Sequence, residues 1–150
     1  MTTLLPVLRR FHPNILIVAG DVEAEWALEQ IRPGLRPPIV VWSSTETPNF
    51  DAIEFGTLLV RQIDSLTTRQ QRSLDALLSR AAGDVDVVAV ASRHLFPLVT
   101  QGKFSDDLYY RLNTVLLDGF EWSTGRIPQF GLTSHTAFSD SSEPAANSAA

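Results

Sequence analysis

Few residues in this chain stand at spacings that could do chemistry by themselves. The three histidines, His12, His94 and His135, are scattered and show none of the short repeats that bind a metal ion. Cysteine is absent, which removes disulfides, thiolate nucleophiles and thiolate zinc sites together. Hydroxyls are plentiful, but no Gly-x-Ser-x-Gly elbow presents one as a nucleophile. The tryptophans Trp26, Trp42 and Trp122 suit packing better than ligand binding, and Trp26, on a helix with polar neighbours, could mark an exposed contact. No metal and no cofactor are expected.

Composition narrows the classes further. A chain of 150 residues with 44% hydrophobic and 19% charged content has enough apolar side chains for one globular core. A net charge of -5, with no block of Lys and Arg, argues against a general grip on nucleic acid or on an anionic membrane. The first ten residues lack the basic-then-apolar order of a signal peptide, and no apolar run approaches the ~20 residues that span a bilayer. A cytoplasmic location and no membrane partner follow as expectations.

Short apolar runs alternate with helical periodicity, the pattern of a parallel α/β sheet. Leu4, Val7, Leu8 and Phe11 fall on one face of a first helix, with Thr3 as its N-cap and Pro13 closing it. Residues 15–19 form a buried strand. Ala24, Ala27, Leu28 and Ile31 mark a second helix that Pro33 and Gly34 end. Residues 38–42 and 57–62 give two more strands, the latter central, with a polar loop over 43–54 between them.

A third helix over 68–81 turns Leu74, Leu77, Leu78 and Ala81 inward. A strand over 86–91 follows, then a short helix from Phe96 to Gly102 and another that starts at Ser105 as N-cap. Residues 114–118 supply the fifth strand. The expected organisation is one α/β domain over 1–132 and a disordered, Ser/Ala-rich tail over 133–150.

Two segments carry a more specific order. Gly56-Thr57-Leu58-Leu59-Val60-Arg61-Gln62-Ile63-Asp64 precedes a Gln-rich helix, and Gly102-Lys103-Phe104-Ser105-Asp106-Asp107-Leu108-Tyr109-Tyr110-Arg111-Leu112-Asn113 follows the fourth strand. This succession resembles the central AAA+ domain of sigma-54-dependent transcription activators. The resemblance is specific over 56–117 and one of layout only over 15–42. It implies a P-loop NTPase/AAA+-like three-layer sandwich with a mostly parallel five-stranded sheet, here without the helical lid subdomain.

The resemblance also assigns each catalytic position. A Walker A loop needs glycines to wrap phosphates and a Lys for their charge. The matching stretch offers Gly20 alone, then Asp21, Glu23 and Glu25, and no lysine. Three carboxylates in a first turn suit the helix dipole and repel a triphosphate, each like-charge pair costing about 2 kcal/mol at ~8 Å and an effective dielectric of ~20.

The Walker B acids, which hold Mg²⁺ and polarise water, are replaced by Arg61 and Gln62. Asp64 lies close by and suits a turn better than a metal position. Ser92 and Arg93 fall at the sensor position, followed by His94 in a loop. Of two arginine fingers, Ser105 replaces the first and Arg111 matches the second. The family's Gly-Ala-Phe-Thr-Gly-Ala sigma-contact loop does not occur, nor does a DNA-binding pattern after Asp118.

The resulting expectation is a pseudo-ATPase, not an enzyme, that acts on transcription by contact with a protein partner. That partner is an intact AAA+ activator or a second copy of the chain, without direct DNA binding. The alternative is a regulator that still binds ATP through a rearranged site.

Overall fold

The computed structural model describes residues 4–120. The tail over 133–150, Trp122, His135 and the N-cap Thr3 lie outside the described residues. Five strands form one parallel sheet: β1 (Ile15–Val18), β2 (Ile39–Ser43), β3 (Gly56–Arg61), β4 (Val85–Ala91) and β5 (Val115–Asp118), in the order β2-β3-β4-β1-β5. The helices are α1 (Leu4–Phe11), α2 (Asp21–Ile31), α3 (Thr68–Arg80), α4 (Phe96–Thr100) and α5 (Asp106–Leu112).

Alternation along the strands explains how the sheet holds helices on both faces. In β1, Ile15 and Ile17 face α1 and α2, joined there by Leu4, Leu8, Ala24, Ala27, Leu28 and Ile31. Leu16 and Val18 face the other way, with Leu58, Val60, Val87 and Ala89, under Leu74, Leu77 and Leu78 of α3 and Leu108 and Leu112 of α5. All seven residues of β4, the middle strand, are buried. Strand β3 lies inside the sheet, paired to β2 and β4, as its apolar run implies.

Local chemistry sets the element ends. Thr67 and Gln70 form a reciprocal capping box that starts α3. Ser105 Oγ accepts from the Leu108 amide and starts α5. Gly56 enters β3 at φ 112°, and a Cβ there would lie 2.4 Å from the Pro38 carbonyl oxygen, so no other residue fits.

Two expectations change. Phe11 does not join the α1 stripe but stands exposed beneath the Arg10 guanidinium, 5.3 Å from its ring centre. The helix ends at Phe11, and His12 at φ 47° reverses the chain before the ring can reach the core. The polar loop before β3 contributes to the core as well. Its short turn Phe50–Ala52 buries Phe50 edge-on against Trp42, and Ile53 is buried beside it. The single apolar residues in that loop carry no periodicity to announce them.

Strand β4 carries a charge into the interior. Asp86 in β4 is buried and accepts from Arg36 Nη2 at 2.9 Å and Nε at 3.2 Å. Burial pushes its carboxyl above the ordinary carboxylate value, with Arg36 opposing.

Candidate functional site

Strand order creates a crevice at the carboxyl ends of β1 and β4. The chain leaves β1 through α2 toward β2, whereas it leaves β4 through α4 and α5 toward β5. The following helices therefore pack on opposite faces, and the strand ends between them stay uncovered, the usual place for a ligand in an open α/β sheet.

A cavity of about 640 Å³ opens there, lined by Ala19, Asp21, Glu25, Ser43, Arg61, Gln62, Asp64 and Ser92 among others. Its size is that of a small-molecule site. The Walker-like positions from two distant parts of the chain thus share one wall. Asp21, Glu25, Arg61, Gln62 and Ser92 line it directly. Gly20 is the N-cap of α2 beside it, with Glu23 in the first turn.

The charges are arranged differently from the sequence expectation. Only Asp21 and Glu23 occupy the first turn of α2. Glu25 lies further along, and its carboxylate accepts from Arg61 Nη1 at 2.6 Å and Nη2 at 3.3 Å. The Arg61 hydrogen bonds hold the Glu25 carboxyl below its usual value, against a smaller effect of burial. The repulsion expected of three free carboxylates is therefore reduced by one matched charge.

Beyond Arg61 the chain turns sharply. Gln62 takes a left-handed conformation, φ 57° and ψ 45°, and its Oε1 accepts from Ser44 Oγ at 3.1 Å. That turn delivers Asp64, whose side chain is 8% exposed, to the end of β4. Its carboxylate accepts from the Ser92 amide at 3.3 Å and from Ser92 Oγ at 3.1 Å, and Arg93 Nε stands 3.6 Å away. Asp64 is a turn residue as expected, but it also ties the sensor-like Ser92 and Arg93 to the end of β3. Sequence spacing offered no signal for this, because the partners are 28 residues apart.

Other candidates fall elsewhere. Arg111 on α5 pairs with Asp75 of α3 at 3.2 Å and does not line this cavity. His94 is half-exposed in the loop after β4 and meets Asp118 Oδ2 at 2.8 Å, closing the far side of the β1 end. Trp42 packs inside, Trp26 is partly exposed, Tyr109 is buried and Tyr110 is not. Among the described residues, no group of three or more His, Asp or Glu side chains could hold a metal ion. No helix among the described residues is long and apolar enough to cross a membrane.

Solved structures of the same fold were found. NtrX from Brucella abortus in complex with ATP superposes with a TM-score of 0.59 and 16% identity, over 78% of this chain and 34% of that one. Its ADP complex gives 0.56 and 18%, over 78% and 35%. The P-loop NTPase domain of a sigma-54 transport activator from E. coli gives 0.57 and 18%, over 76% and 95%. The sheet and its flanking helices are thus those of a P-loop NTPase/AAA+-like sandwich.

The ATP and ADP complexes overturn the expectation of a catalytically inactive, non-enzymatic scaffold. NtrX, a chain of this fold, is solved with each nucleotide bound. The physical reason that expectation failed lies in its premise. Loss of the Gly-rich loop, its lysine and the Walker B acids argues against the usual phosphate contacts, whereas the crevice depends on strand order and stays open.

In sequence, the nitrogen fixation protein AnfA of Azotobacter vinelandii is 33% identical over 75 residues, 43% of this chain and 14% of AnfA. The chain therefore spans about a seventh of AnfA and a third of NtrX. Residues 38–118 match the family described as the Sigma-54 interaction domain. That span is more than half of the chain, and the protein belongs to this family.

Proposed function

We infer that this domain is a nucleotide-binding regulator, taking ATP or ADP into the cavity at the carboxyl ends of β1, β3 and β4 through a rearranged site. The observation that carries the reading is the cavity itself. It has the size and place of a ligand site in this sheet topology, and it gathers Gly20's neighbour Asp21, Glu25, Arg61, Gln62 and Ser92. The ATP and ADP bound to NtrX support adenine nucleotide as the ligand class.

In this reading Gly20 lets the phosphates approach the start of α2, Arg61 stands in for the missing lysine, and Ser92 with Arg93 reports occupancy to the rest of the sheet. Asp21 and Glu23 flank the phosphate path, and Gln62 holds the turn beside it. Arg111, outside the cavity of its own chain, would act on the nucleotide of a neighbouring subunit. The partner is a protein, either an intact activator of the same family or a second copy, and the place of action is the cytoplasm.

Isothermal titration with Mg-ATP and with ADP tests this. Micromolar binding that Gly20→Val weakens is the expected result. A Cβ at Gly20 would meet Glu23 Oε1 at 3.0 Å, the end of a flexible side chain that can give way, and thermal unfolding checks that the variant is folded. The absence of heat and of any thermal shift with either nucleotide would sink the reading.

A further inference from the structure

The cavity wall has one cation among the described residues. Among its charged lining residues, Asp21, Glu25 and Asp64 are carboxylates and Arg61 alone is basic. Asp64 is occupied by Ser92 and Arg93. Arg61 is occupied too, with two of its nitrogens forked onto the two oxygens of Glu25. A phosphate group presents the same bidentate target to a guanidinium as a carboxylate does. Ligand phosphate and Glu25 therefore want the same donors.

Both side chains have room to separate. Glu25 is 58% and Arg61 36% exposed, and they belong to different elements, α2 and β3. We propose that Arg61 is the phosphate-gripping cation of this cavity and that Glu25 is its built-in competitor, so that a di- or triphosphate must take the guanidinium from Glu25 to bind. The proposal rests on the nucleotide reading of the cavity and sharpens it. It names the group recognised, the residue that grips it and the residue that holds it off.

An exposed fork is a weak latch, which sets the size of the effect. Freeing Arg61 should tighten phosphate binding by about two- to fivefold. The release has its own signature. The Glu25 carboxyl, held below its usual value by Arg61, should move up toward that value once the guanidinium has left.

The test titrates the full chain with ADP and, separately, with inorganic triphosphate. It compares the wild type with Glu25→Gln, Arg61→Gln and the double variant, each first confirmed as folded by thermal unfolding. The expected order is Glu25→Gln tightest and Arg61→Gln weakest, with a smaller gain from Glu25→Gln in the Arg61→Gln background than in the wild type. A gain of the same size in both backgrounds would overturn the proposal, because it would then be plain removal of negative charge. Binding of ADP that ignores both residues would also overturn it while leaving the nucleotide reading intact. Triphosphate binding in the expected order, with no binding of ADP or of ATP titrated alongside, would support the latch and overturn the nucleotide reading. Silence from every variant with both ligands would overturn both.

Discussion

At the scale of single residues, the most consequential charge outside the cavity is Asp86. It enters β4 buried, with the Arg36 fork as its compensation and His12 Nδ1 3.8 Å away. Its carboxyl sits above the ordinary value, so the folded state binds a proton more readily than the unfolded chain does. Its contribution to stability therefore falls as pH rises from the ordinary carboxylate value through the raised one, opposite to an exposed paired carboxylate. Arg36→Met removes the compensation and raises that value further. Urea unfolding should show a loss of about 2–4 kcal/mol near pH 7, shrinking as pH falls toward 4. An equal loss at both pH values would show that Arg36 acts through packing alone. The Glu25–Arg61 fork behaves differently because it is exposed, and Glu25→Gln should cost under about 1 kcal/mol of stability.

At the scale of elements, α3 is the helix whose boundaries and packing most directly connect to the site. Its capping box holds Thr67 and Gln70, and Gln70 Nε2 reaches on to the Ser44 carbonyl at 2.8 Å, beside the end of β2. Gln71, buried on the same helix, donates to the carbonyls of Leu66 and Lys103, and its Oε1 accepts from the Ser105 amide. Helix α3 thus fixes both the loop after β3 and the start of α5. Thr67→Ala should cost about 1 kcal/mol in chemical denaturation, the ordinary value of a lost N-cap. Leu74→Ala, at a fully buried site on the inward stripe, should cost about 2–5 kcal/mol. A smaller loss for Leu74 than for Thr67 would contradict the packing described.

Much at this scale was legible beforehand. Ala24, Ala27, Leu28 and Ile31, and likewise Leu74, Leu77, Leu78 and Ala81, repeat at helical spacing, and all are buried. Phe11 was misplaced because helical spacing does not say where the helix stops, and Phe50 and Ile53 because they lie in and just after a short turn, where no periodicity says which way a side chain points.

At the scale of the whole molecule, ligand binding and folding are linked. A nucleotide that binds only the folded state adds about 2.7 kcal/mol when present at ~100 times its Kd. For a domain of this size that is a rise in Tm of several degrees, read by differential scanning calorimetry across a concentration series. A Tm independent of nucleotide concentration would contradict the site.

The sequence by itself determined the strands, the helices and the family, because periodicity and the Gly-x-Phe segment are local properties of the chain. It also identified Gly20, Asp21, Glu23, Glu25, Arg61, Gln62, Ser92 and Arg93 as positions of interest. Only the tertiary structure decided how those positions combine. It paired Glu25 with Arg61 across 36 residues and Asp64 with Ser92 across 28, and it placed them around one cavity. The physical reason is that charge pairing and crevice formation depend on which strand ends lie side by side. That follows from sheet order, which no single segment carries.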